Sequence, residues 1–66
     1  MAGLENNIRA LRAGANLRQE DLAEAVGVTR QTIIAIEKGG YVPSLELAFK
    51  ISQIFNQPIE QIFHYD

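Results

Sequence analysis

The chain has 66 residues, 47% of them hydrophobic and 21% charged, with no cysteine and a single histidine, His64. A chain of this size forms one compact domain, taken here as 1–66, and folding buries only about 60% of the surface the unfolded chain exposes; the composition supplies a core and excludes disorder, a disulfide framework and a protein-only zinc site, so no cofactor or metal is expected. The formal net charge of −2 argues mildly against nucleic acid, because Lys and Arg normally neutralise the phosphates, so the positions of the basic residues matter more than their sum.

Met1 to Asn7 lacks the basic start and apolar run of a signal peptide, and no stretch approaches about 20 consecutive apolar residues. A soluble, cytoplasmic protein is expected. Apolar residues then recur at helical spacing almost throughout, with no run alternating at the period of a strand, which predicts an all-α fold of five helices. The first runs from about Leu4 to Ala13 on the stripe Leu4, Ile8 and Leu11, with Gly14 as its stop. The second begins near Arg18, carries Glu20 and Asp21 in its first turn beside the positive helix N-terminus, turns Leu22, Ala23 and Val26 inward, and ends at Gly27. Thr29 caps a third, Arg30 to Lys38, which stops at Gly39 and Gly40.

Tyr41 and Val42 fall in the next loop. Ser44, after Pro43, caps a fourth helix that extends to about Phe55 and ends at Asn56. Leu45, Leu47, Ala48, Phe49, Ile51, Ile54 and Phe55 exceed a narrow stripe, so this helix is expected at the centre, touched on several sides. Pro58 opens a short fifth helix carrying Ile59, Ile62 and Phe63, over about residues 58–65. There are no repeats or low-complexity segments.

The informative segment is QEDLAEAVGVTRQTIIAIEK, from Gln19 to Lys38: two short helices joined at Gly27. Ala23 is small where the helices cross, Gly27 allows the tight turn, and Val28, Ile33 and Ile36 fix the crossing from the other side. In the stretch LRQEDLAEAVGVTRQTIIAIEKG that contains this segment, in the loop and helix YVPSLELAFKIS and in the closing PIEQIF, the sequence resembles the Cro/cI-type (XRE) helix-turn-helix family of phage and bacterial regulators over nearly its whole length. The resemblance implies a compact five-helix, lambda-repressor-like domain. Its helix-turn-helix occupies about residues 19–38, and its third helix enters the major groove of double-stranded DNA.

With Ile33 and Ile36 buried, that helix presents Arg30, Gln31 and Thr32 and, one turn on, Ile34 and Ala35. These are the candidate base readers: Arg can grip guanine O6 and N7, Gln can pair with adenine N6 and N7, and Thr, Ile or Ala can pack on a thymine methyl. The resemblance also places Gln19 at a phosphate, where an amide side chain and free backbone amides meet an anion at a helix start, with Arg18, Lys38 and Tyr41 as neighbours. Arg18 stands where the family more often has a capping Ser or Thr, and Gly40 where it often has a basic residue, which shifts weight onto Arg30. By the same resemblance Glu37 forms an internal ion pair with Arg12. Glu20, Asp21 and Glu24 share one helix while Glu46, Glu60 and Asp66 lie in later elements, so acid and base segregate by face.

The aromatic end Phe63, His64, Tyr65 is large for a frayed tail. Family members of this length commonly pair through the fifth helix, which implies a homodimer with Ile62, Phe63 and Tyr65 at its interface and half-sites about 34–36 Å apart; the alternative for Phe63 is closure of the monomer core. Catalysis finds no support, since Ser52 has no histidine near it in sequence and no glycine-rich phosphate loop occurs. The expected function is a homodimeric, sequence-specific transcriptional regulator, a repressor reading a palindromic operator. The alternative is an antitoxin or adaptor that binds a protein partner through the same fold.

Overall fold

Asn6 decides where the extended start of the chain gives way to helix. Its Oδ1 accepts from the Ile8 N–H at 3.1 Å, satisfying a donor that a helix start leaves open, while its Nδ2 donates to the Ile36 carbonyl at 2.9 Å. In the computed structural model of the protein, which describes residues 3–65, strand β1 (Leu4–Asn6) therefore precedes helix α1 (Ile8–Gly14). There follow α2 (Gln19–Val26), α3 (Arg30–Glu37), α4 (Leu45–Phe55), α5 (Ile59–Ile62) and strand β2 (Phe63–Tyr65). Met1, Ala2 and Asp66, which the expected domain includes, lie outside the described residues.

The class is mainly helical, with the five helices that the apolar spacing predicts, but a small antiparallel sheet corrects both ends of the expected pattern. β1 and β2 pair with Leu4 opposite Tyr65, Glu5 opposite His64 and Asn6 opposite Phe63, and the Asn7 N–H extends the ladder by donating to the Ile62 carbonyl at 3.0 Å. The first helix thus starts at Ile8 and not near Leu4, and the fifth ends at Ile62 and does not reach residue 65. Aromatic residues such as Phe63 and Tyr65 suit a half-buried pleated surface, and pairing with β1 satisfies backbone groups that a short helix would leave open.

Between these ends, the local signals act where they stand in the sequence. The Thr29 hydroxyl accepts from the Thr32 N–H at 3.2 Å and the Ser44 hydroxyl from the Leu47 N–H at 3.1 Å, capping α3 and α4. Asn56 closes α4 in the left-handed region, at φ 53°. α1 is closed differently from expectation: its last residue is Gly14, but the left-handed turn is made two residues later by Asn16, at φ 58°. Gly27 ends α2 at φ 78°, and the Val28 N–H then reaches back to the Ala23 carbonyl at 2.9 Å, the backbone closure that a left-handed cap allows. A Cβ on Gly27 would meet nothing within 4 Å, so a substitution there strains only the backbone. Gly27→Ala is expected to lower the unfolding free energy by about 1–2 kcal/mol, read as a shifted urea midpoint with an unchanged slope.

The core is assembled from every helix: Ile8 of α1, Leu22, Ala23 and Val26 of α2, Ile33 and Ile36 of α3, Leu47, Ala48 and Ile51 of α4, and Ile62 of α5, joined by Phe63 of β2. Ala23 is the small residue that lets α2 and α3 approach. α4 is not enclosed on all sides. Its inner face is Leu47, Ala48 and Ile51, with Phe55 partly buried, whereas Leu45 and Phe49 remain 70% and 53% exposed. Its high apolar content therefore reflects an uncovered surface as well as a core position.

Candidate nucleic-acid interface

Burial of Ile33 and Ile36 fixes the roll of α3, because the face opposite them must look outward. Gln31 is exposed there, Arg30 is exposed beside it in the first turn, and Ile34 and Ala35 are half-buried one turn on. Thr32 is half-buried too, and its hydroxyl lies 3.0 Å from that of Thr29. Part of the Thr32 side chain is therefore occupied by the cap of its own helix. Arg30 and Gln31 supply the outward donors and acceptors at the start of α3, and Ala35 and Ile34 supply apolar surface one turn on.

The tilt of α3 against the rest of the domain is held by one charged junction. Arg12 Nε donates to Glu37 Oε2 at 2.6 Å and Nη2 to Glu37 Oε1 at 3.3 Å, while Nη1 donates to the Leu17 carbonyl at 2.9 Å. One guanidinium thus ties α1, the turn before α2 and the end of α3. The side chains are 14% and 8% exposed, so the pair is shielded from water and differs from a surface bridge. Glu37 Oε1 also accepts from Gln19 Nε2 at 3.1 Å. Since an ionised carboxylate only accepts, the Gln19 amide must present nitrogen to it. That nitrogen keeps its second hydrogen, at the start of α2, where the first helical N–H groups have no partner within the helix.

Around Gln19 the surface opens into a cleft lined by Arg9, Arg12, Arg18, Glu20, Ile34, Glu37 and Lys38. It joins three elements: α1 through Arg9, the start of α2 through Gln19, and the end of α3 through Ile34 and Lys38. Lys38, the C-cap of α3, is exposed on this side. Arg18 is exposed as well but is committed elsewhere. Its Nη2 lies 3.1 Å from Asp21 Oδ1 and its Nη1 3.5 Å from Glu20 Oε2, and its backbone N–H donates to Asp21 Oδ2 at 2.9 Å. The hydrogen bond from the Arg18 side chain, then that from its backbone, holds the Asp21 carboxyl below its ordinary range. The exchange of a capping hydroxyl for Arg18 is thus offset by Asp21, which caps from within the helix.

Two placements differ from expectation. Tyr41 does not share the cleft: it lies about half exposed beside Val28, Ser44, Leu47 and Lys50, in a shallow groove between the Gly27 turn and the start of α4. Ile62 and Phe63, expected at a dimer interface, are 0% and 8% exposed within the single chain. Their side chains complete the monomer core because β2 folds back onto β1 and turns Phe63 inward. Of the expected trio only Tyr65, 83% exposed, is available to another molecule.

Arg9 is the residue that sequence reasoning passed over. The signal was its spacing: it precedes Arg12 by one helical turn, so whatever faces Glu37 through Arg12 has Arg9 beside it. Among the described residues no cluster of His, Asp or Glu could hold a metal ion, and no helix is long and apolar enough to cross a membrane.

The sequence model described as Helix-turn-helix matches residues 8–62 of the chain. An uncharacterised helix-turn-helix-type transcriptional regulator of Methanocaldococcus jannaschii is 59% identical over 63 residues, covering 96% of both chains. The cryptic phage CTXphi transcriptional repressor RstR of Vibrio cholerae is 37% identical over 57 residues, 86% of this chain and 51% of its own length. Among solved structures, the restriction-modification controller protein C.AhdI from Aeromonas hydrophila superposes with a TM-score of 0.75 at 28% identity, covering 82% of each chain.

Proposed function

The chain belongs to the Cro/cI-type (XRE) helix-turn-helix family of DNA-binding transcriptional regulators, and we propose that it acts as a homodimeric repressor that reads a palindromic operator with α3 in the major groove. The observation that carries the base-reading assignment is the exposure of Gln31 opposite the buried Ile33 and Ile36, with Arg30 exposed beside it in the first turn of α3. An arginine and a glutamine at the start of such a helix match the bidentate patterns of guanine and adenine. Ala35 and Ile34 offer apolar contact to thymine methyls, and Thr32 contributes less because of its bond to Thr29. Gln19 and Lys38 are assigned to the phosphate backbone, Arg18 to a weaker share of it, and Tyr41 to the neighbouring stretch of strand.

Repression is favoured by the likeness to RstR, a transcriptional repressor by name; a domain that covers promoter DNA needs no further activity to repress. The dimer is assigned to surface that the monomer leaves uncovered. Leu45 and Phe49, one helical turn apart on α4, make an exposed apolar patch, with Val42 exposed in the loop before it; Glu46 and Lys50, next to them in sequence, pair at 3.6 Å within one chain. A two-fold contact across this patch can set the Glu46 of one copy against the Lys50 of the other.

Selection of bound duplexes from a random pool tests the reading, with an inverted repeat as the expected product. On the selected site, Arg30→Ala and Gln31→Ala are each expected to cost about 1–3 kcal/mol of binding while scarcely changing affinity for random DNA. Gln19→Ala weakens both. Equal loss on the two DNAs from Arg30→Ala would remove it from base reading. A second reading is kept by the same apolar patch: an antitoxin or adaptor would cover it with a different protein, and the wild-type chain would then show no salt-dependent binding to any duplex.

A further inference from the structure

We propose that Arg9, together with Lys38, is the cation pair that grips a DNA phosphodiester in the cleft beside Gln19, and that Arg18 is not. This rests on the DNA-binding reading above and adds to it a contact that the helix-turn-helix segment does not contain. Of the six basic residues, three are neutralised within the described chain: Arg12 by Glu37, Arg18 by Asp21 and Glu20, and Lys50 by Glu46. Arg9, Arg30 and Lys38 have no ion pair among the described residues. Arg30 opens α3, whereas Arg9 and Lys38 line one cleft from different elements, α1 and the end of α3, with Gln19 in the same lining.

The charge at the cleft supports an anionic occupant. Its wall carries four cations against two carboxylates, in a chain whose net charge is −2, and both carboxylates have internal partners: Glu37 is held by Arg12 and Glu20 by Arg18. The uncompensated charge is that of Arg9 and Lys38. Binding a phosphate at Arg18 would have to compete with two acids already in place, and Asp21 holds the guanidinium by two bonds, Nε to Oδ2 and Nη2 to Oδ1, each 3.1 Å. Arg9 gives up nothing. It stands in the first turn of α1 with an exposed side chain, and a guanidinium can take two oxygens of one phosphate in its fork. Gln19, in the same lining, keeps a second Nε2 hydrogen beyond the one it gives to Glu37, a further donor for an anion. A phosphate held between α1 and α3 would set the depth at which Arg30 and Gln31 enter the groove, so Arg9 positions the readers without touching a base.

The test is the salt dependence of binding to a short labelled duplex of random sequence and to the selected operator, for the wild type, Arg9→Gln, Arg9→Lys and Arg18→Gln. Each phosphate contact contributes about 0.9 to the slope of log K against log salt. Arg9→Gln is expected to reduce the slope by about 1, to weaken both DNAs several-fold alike, and to leave the melting temperature unchanged; Arg9→Lys retains the slope. Arg18→Gln is expected to change the slope by less than half as much. An unchanged slope in Arg9→Gln, or an equal or larger loss in Arg18→Gln, overturns the assignment while leaving DNA binding intact. A wild-type chain without salt-dependent binding overturns the DNA reading and this contact together.

Discussion

Glu37→Ala is expected to lower the unfolding free energy by about 3–5 kcal/mol, the cost of stranding the guanidinium of Arg12 in a shielded site. Small domains hold about 5–15 kcal/mol in total, so this one change removes a large share of the margin. The size follows from geometry. Arg12 uses all three of its nitrogens, two on Glu37 and one on the Leu17 carbonyl, and both partners are mostly out of water. Arg12→Ala should cost as much, since it strands a carboxylate and also frees the turn before α2. Removing both charges together, as Arg12→Met with Glu37→Leu, should cost less than either alanine change, because an apolar pair leaves no orphaned charge. Urea unfolding of the set gives the coupling by a double-mutant cycle. A loss under about 1 kcal/mol for Glu37→Ala would place the pair with ordinary surface bridges. Because Glu37 also orients the Gln19 amide, the double variant should bind every duplex more weakly even though it is folded.

What could be read from the sequence was whatever depends on near neighbours. Thr29, Ser44 and Asn56 act within a turn of the helices they bound, and Gly27 marks a left-handed position whose need for glycine is local. The outward face of α3 was legible for the same reason, since burying Ile33 and Ile36 leaves no other direction for Gln31. The β1–β2 sheet was not legible. Three residues are too few to show a period of two, and the partner strand is almost a whole chain away, so pairing Leu4 with Tyr65 is decided by how the helices bring the two ends together. The same distance hid the role of Asn6, whose amide caps α1 and the end of α3 at once.

Charge was legible in part: the resemblance implies the Arg12–Glu37 pair, which forms at 2.6 Å, but not which of the remaining cations is free. Whether a cation is free depends on its neighbours, and for Arg18 the neighbours stood in plain view: Asp21 lies one helical turn on and Glu20 two residues away. Arg9 stands one turn before Arg12, whose pairing with Glu37 the resemblance already implies; what needed the fold was that the start of α2 and the end of α3 come to the same cleft. The apolar excess of α4 serves two faces, one in the core and one uncovered. Leu47, Ala48 and Ile51 enter the core, but Leu45 and Phe49 do not, and no rule of periodicity says which of two apolar faces a neighbour will cover.

That division yields the second large effect. Ile62→Ala is expected to cost about 2–5 kcal/mol, the range for truncating a fully buried aliphatic side chain, because Ile62 is wholly enclosed in the single chain; its loss lowers the melting temperature at every protein concentration. Phe49→Glu should behave in the opposite way. Phe49 is half exposed, so the folded monomer tolerates the change, while a carboxylate placed at the centre of a two-fold apolar contact meets its own copy and desolvates without a partner. In the wild type, association then raises the melting temperature with concentration, and Phe49→Glu abolishes that dependence and sediments as a monomer. If instead Tyr65→Ala breaks association and Phe49→Glu does not, the interface belongs to the exposed edge of β2. In either case Ile62 and Phe63 act from inside the monomer, and a dimer that reads an inverted repeat must be built from side chains the core has not already taken.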